Sequence, residues 1–127
     1  MSIKYLSVSD ILDIHDAQIL EFGGGLGLRD EFLLMSAIAR PQSGYYSTII
    51  EQACALWESL SQNHPFIDGN KRTALDATLT FLAINGYTLN TEDADLTKFL
   101  LNLYANNNFC FKELHTFLLN NVIISVK

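Results

Sequence analysis

Apolar residues recur three and four apart along most of this chain, and short polar or glycine-bearing stretches separate the runs, which predicts helix after helix. Ser7 to Asp10 starts the first helix, with Ile11, Leu12, Ile14, Ile19 and Leu20 as its buried side. Gly23-Gly24-Gly25 stops it and reads as a flexible loop. Asp30 caps a second helix, at roughly 31 to 39, that ends before Pro41, and Pro41 to Ser47 reads as loop. Thr48 and Glu51 have the capping-box arrangement, so a third helix runs from there to about Gln62 and buries Ala53, Leu56, Trp57 and Leu60.

Pro65 disfavours helical geometry at His64, which places that histidine on a sharp loop. A fourth helix, at roughly 71 to 84, carries Ala74, Leu75, Ala77, Thr78, Leu79, Leu82 and Ala83 at apolar spacing and stops at Asn85-Gly86. Tyr87-Thr88-Leu89 is short and extended. Thr91 or Asp93 caps a helix at about 94 to 104, and Asn106-Asn107-Asn108 makes a loop. The last helix, at about 110 to 121, carries Phe111, Leu114, Phe117 and Leu118, and the tail Val122 to Val126 is β-prone. The expected architecture is a single all-α domain over residues 1–127.

Composition narrows the function classes. A chain of 127 residues supports one hydrophobic core, and 49% hydrophobic against 17% charged residues marks it as globular. With 14 acids against 8 bases the net charge is -6, which disfavours sequence-independent nucleic-acid binding, although Lys71-Arg72 can still hold a nucleotide. Cys54 and Cys110 lack a second ligand at zinc-like spacing and read as buried free thiols. The glycine run is neither a dinucleotide fingerprint nor a P-loop, since it follows a helix and no Gly-Lys-Ser/Thr closes it. No secretion signal and no membrane-length apolar run is present, so the expected address is the cytosol.

Chemistry concentrates in His64-Pro65-Phe66-Ile67-Asp68-Gly69-Asn70-Lys71-Arg72-Thr73. Gly69, Asn70 and Lys71 fall at the amino end of the fourth helix, where unpaired N–H groups and the helix dipole favour an anion. Arg72 offers a planar fork to phosphate, Asp68 is a hard oxygen ligand of the kind Mg²⁺ takes beside phosphates, and the His64 imidazole is a candidate proton acceptor. Gly69 permits a tight turn, and Phe66 points into the core to fix the loop. Together they suit phosphoryl or nucleotidyl transfer. The bland alternative is a capped loop in which Asp68 and Arg72, four apart, form a surface ion pair. His15 and His115 lie on helices and read as structural or exposed, and His64 with Asp68 alone lacks the further ligands of a metal site.

These ten residues resemble the Fic/Doc signature: a His, any residue, Phe, any residue, an acid, Gly or Ala, Asn, Gly or Lys, then Arg. The form here is similar to the death-on-curing branch. The likeness extends through Glu58 to Asn63, His15-Asp16, Gly23-Gly24, Gly27 to Asp30 and Ser36 to Pro41. The resemblance implies a compact Fic-fold bundle with the motif loop between two central helices. It implies His64 as the base that deprotonates a target hydroxyl, Asp68 as the holder of Mg²⁺, Gly69 and Asn70 as anion contacts and Arg72 as a phosphate clamp. It also implies that the region after Pro41, with Tyr45 and Tyr46, is a target-docking flap, although both rings folding onto the core is an equal reading.

Lys71 separates the subclasses. Relatives that transfer AMP usually carry Gly there, whereas Doc-like proteins carry Lys and are associated with a reversed nucleotide whose γ-phosphate faces the hydroxyl. The resemblance therefore implies transfer of the ATP γ-phosphate to a Ser or Thr of elongation factor Tu. The alternatives are AMP transfer or a catalytically silent binding module. None of the six glutamates is followed by Gly or Asn, the mark of an internal inhibitory helix, so restraint is expected from a Phd-like antitoxin.

Overall fold

The computed structural model describes residues 2–125. Six helices form the body: α1 (Val8–Phe22), α2 (Glu31–Ala39), α3 (Ile49–Gln62), α4 (Asn70–Ile84), α5 (Asp93–Ala105) and α6 (Phe111–Asn121). The expected helical bundle is borne out, with two additions. Arg40–Gln42 winds into a 3₁₀ turn where loop was expected, because Pro41 fits the first turn of a helix, where its missing N–H costs nothing. The extended segment β1 (Tyr87–Leu89) pairs antiparallel with the tail strand β2 (Val122–Ile124), Thr88 opposite Ile123. Val126 of the β-prone tail lies outside the described residues.

Capping chemistry sets the helix starts. Ser7 and Asp10 exchange bonds across the first turn of α1, and Thr48 and Glu51 do the same at α3. Asp30 accepts the Leu33 N–H at α2. For α5 the cap position is Glu92, which makes no side-chain bond, so the expected caps Thr91 and Asp93 are corrected. At α6 the cap position, Cys110, is equally silent, and the work passes to a distant residue: Glu58 on α3 accepts the Phe111 N–H at 2.6 Å with one oxygen and Arg40 Nη1 at 2.7 Å with the other. One carboxylate thereby ties the 3₁₀ turn to α3 and to the start of α6.

α3 is the central rod. Gln52 to Trp57 and Ser59 to Ser61 are all buried, which requires packing on nearly every side. Its most extensive partner is α4, whose buried positions include Thr73 and Phe81 beyond those expected, while Ala83 is exposed. On α1, Ile11, His15 and Ile19 face inward, but Leu20 is 89% exposed, because a helix turns Leu20 away from the Ile11–Ile19 stripe. Cys54 is buried and free, and burial pushes its thiol up to about 12, leaving it inert, whereas Cys110, expected to be buried, is only half-buried because it stands at the start of α6. The two flap tyrosines divide: Tyr46 stacks on Phe111 at 5.5 Å and bonds Arg40, while Tyr45 is exposed. Among the described residues no helix is long and apolar enough to cross a membrane.

Candidate active site

The loop between α3 and α4 is held from behind by the segment after α1. Arg29 is the main fastener: Nε donates to the His64 carbonyl at 2.7 Å and Nη2 to the Asn63 carbonyl at 2.9 Å. The backbone N–H groups of Arg29 and Asp30 both donate to the Pro65 carbonyl. Leu28 bridges Phe66 in β fashion, and the Ile67 N–H donates to the Gly27 carbonyl. Held this way, His64 adopts φ 50, a left-handed conformation uncommon for a residue with a Cβ. The helix does stop before Pro65 as expected. The residual strain is supported by four bonds to neighbouring carbonyls, and it turns the exposed imidazole into solvent.

Asp68 is fixed by main chain. Its Oδ1 accepts the Gly69 N–H at 2.8 Å, its Oδ2 the Gly25 N–H at 3.3 Å, and its carbonyl accepts from His15 Nε2 at 2.8 Å. The Gly69 N–H is the main cause that holds this carboxyl below the usual range, with Gly25 next and the charge of Arg72 contributing less. The carboxylate is thus anionic and pre-oriented. His15 is 1% exposed and lies parallel to Phe66, centroids 3.8 Å apart. It is structural, as expected, but it sits directly beneath the site.

Gly69 takes φ 74 and leads into α4 with no side-chain cap, so the first N–H groups of that helix are left for a ligand. Asn70 has a second task that the sequence reading did not name. Its amide accepts the Phe66 N–H at 2.9 Å and donates to the Phe66 carbonyl at 3.0 Å, so the side chain locks the loop and only the backbone of Asn70 is placed for an anion contact. Arg72 does not pair with Asp68 within ion-pair distance, which disposes of the surface-pair alternative; among the described residues Arg40–Glu58 is the pair of permanent opposite charges. Instead Nη2 donates to the Gly23 carbonyl at 3.0 Å, the guanidinium lies 5.3 Å from the Phe22 ring centroid, and its buried Nε has no partner. Lys71 reaches over Tyr104.

His64, Asp68, Gly69, Asn70, Lys71 and Arg72 line one cavity of about 390 Å³ together with Ile67. That is within the range of small-ligand sites. A larger hollow of about 580 Å³ at the start of α5 is walled by Glu92, Asp93 and Asp95 with no cation, and would repel a phosphate. No group of three or more His, Cys, Asp or Glu among the described residues is arranged to hold a metal.

The glycine run, read from sequence as a helix stop and flexible loop, is part of this site. A Cβ on Gly24 would stand 2.7 Å from Asp68 Oδ2, and the residue has φ +119. Gly24→Ala is therefore expected to lower stability by about 1–2 kcal/mol in urea unfolding and to displace the carboxylate. The signal available in the sequence was three successive glycines where one suffices to end a helix.

This loop, its fastening segment and the uncapped α4 define the class. The Fic/DOC family model matches residues 5–82, and the chain belongs to that family. Within it, the chain is 41% identical over 111 residues to Toxin Doc of Mycolicibacterium smegmatis, covering 83% of each. It is 32% identical over 100 residues to Protein kinase doc of Escherichia phage P1, covering 74% of this chain and 79% of that one.

Proposed function

We propose that this chain is a Doc-like toxin that transfers the γ-phosphate of ATP to a Ser or Thr hydroxyl of a protein, with elongation factor Tu as the target. The observation that carries the reading is Lys71 in the first turn of the uncapped α4, lining the same cavity as His64 and Asp68. A Gly there would leave the room that AMP transfer uses; a Lys fills that room and adds a charge for a transferring phosphoryl group. The relatives' names, a toxin and a protein kinase, support it.

The residues fit a magnesium nucleotide. Asp68 supplies one pre-oriented anionic oxygen, and the close approach of Gly24 leaves that oxygen a defined position. Mg²⁺ takes one or two carboxylates with the rest of its shell from phosphates and water. When bound, the ion neutralises phosphate charge. His64 accepts the proton of the target hydroxyl as its oxygen bonds to the γ-phosphorus. The β,γ-bridging oxygen leaves with the electron pair on ADP. Lys71, the α4 N–H groups and the Arg72 fork, whose Nε has no partner, meet the phosphate oxygens.

Restraint would come from a Phd-like antitoxin in the same cytosol. A neighbouring groove of about 290 Å³ between α1 and α4, lined by Phe22, Leu75 and Leu79 with Arg72 at its edge, suits an apolar segment that folds on binding. The deciding measurement is the intact mass of elongation factor Tu after incubation with the protein, ATP and Mg²⁺. A gain of one phosphate is expected, and a gain of AMP would overturn the reading in favour of Fic-type AMP transfer.

A further inference from the structure

We propose that Tyr104, on α5, is a positioning residue that holds the Lys71 ammonium in place and so selects which phosphorus of the nucleotide is attacked. The inference rests on the kinase reading above and deepens it. Lys71 Nζ lies 4.2 Å from the centroid of the Tyr104 ring, well inside cation–π range. Otherwise a lysine in the first turn of a helix, exposed as Lys71 is, samples many rotamers.

The ring is anchored from several directions. Its hydroxyl shares a hydrogen bond of 2.8 Å with Ser61 Oγ, and Ser61 is itself buried on the central rod. Phe109 stacks on the ring at 4.7 Å with planes 6° apart, and Phe109 meets Trp57 edge-on in the core. Burial pushes the phenol's pKa up, so the ring stays neutral and keeps its hydroxyl bond across the working range. The platform is continuous with α3, which also carries the chain to His64. Base and ammonium are thus referenced to the same rod.

A fixed ammonium at this point favours the nucleotide pose that lays the terminal phosphate against α4. In that pose the hydroxyl oxygen bonds to the γ-phosphorus and ADP leaves with the electron pair. If the ammonium swings free, the α-phosphate has access instead. The oxygen then bonds to the α-phosphorus, pyrophosphate leaves, and His64 again takes the proton.

Tyr104→Leu and Tyr104→Phe test this, with elongation factor Tu, ATP and Mg²⁺ as the assay. Tyr104→Leu should lose roughly tenfold in kcat with KM for ATP changed much less, and AMP should appear on the target beside phosphate. Tyr104→Phe keeps the ring face and should recover most of the rate. An NMR measurement on the wild type needs no variant to fold: the Lys71 side-chain protons should be shifted upfield by the ring, and in the folded variants the shift should persist in Tyr104→Phe and vanish in Tyr104→Leu. Absence of that shift in the wild type, or a folded Tyr104→Leu that transfers phosphate as fast and as exclusively as its parent, overturns the positioning role while the kinase reading stands. A wild type that attaches AMP overturns the kinase reading itself, whatever the NMR signal.

Discussion

Replacing His64 should reduce the rate of transfer by roughly 10² to 10⁴ while leaving nucleotide affinity nearly unchanged. The choice of variant matters here. His64 sits at φ 50, where Ala adds strain and Asn does not, so His64→Asn isolates the chemistry from the backbone. The side chain is exposed, and the loop is fastened through backbone carbonyls that the substitution leaves in place. Calorimetry with a nonhydrolysable ATP analogue and Mg²⁺ should give parental binding, and single-turnover transfer should give the loss. Transfer at the parental rate by His64→Asn would remove the base assignment.

Asp68→Asn should cost on the order of 10²-fold in kcat/KM, with the loss in magnesium-nucleotide binding. The amide is isosteric, but it carries no charge for the ion. In addition, either Gly25 or Gly69 must face an NH₂ group where it now meets a carboxylate oxygen. The pH dependence has a definite sign. The folded-state carboxyl is held below its ordinary value, so the stabilisation from its ionised form is complete above the unfolded value of about 4 and is lost as pH falls through the lowered one. Asp68→Asn lacks that contribution. Urea unfolding of the two proteins should therefore show a gap near about pH 7 that narrows toward about pH 3. A gap that widens in acid would mean the carboxyl is stabilised in its neutral form.

The helix plan was readable because it depends on neighbours in sequence. Ser7 with Asp10 and Thr48 with Glu51 are local pairs, and the structure shows both capping boxes closed. Where the deciding partner is remote, the reading fell short. The start of α6 is capped by Glu58, far back on α3, and nothing near Cys110 announces it. Leu20 looks like core from its composition, yet the turn of α1 puts it in water. The site shows the same division. Its polar inventory lies within ten consecutive residues, so it could be found. Arg29, His15, the glycine run and Tyr104 are brought to it only by packing.

By itself the amino-acid sequence determined a chain of six helices, the first three with legible caps, and a loop that bears an imidazole, a carboxylate, a lysine and a guanidinium ahead of one of them. Periodicity and capping act over a turn or two, and a motif is legible for the same reason. Tertiary structure alone decided what those groups meet elsewhere in the chain at rest: Asp68 takes the Gly25 N–H and its carbonyl accepts from His15, Arg72 leans on Phe22 and Gly23, and Lys71 lies over Tyr104. These choices turn on distances between segments remote along the chain, which are set when α4 packs on α3, α1 packs on α4 and Tyr104 of α5 bonds Ser61 of α3, and no local pattern encodes them.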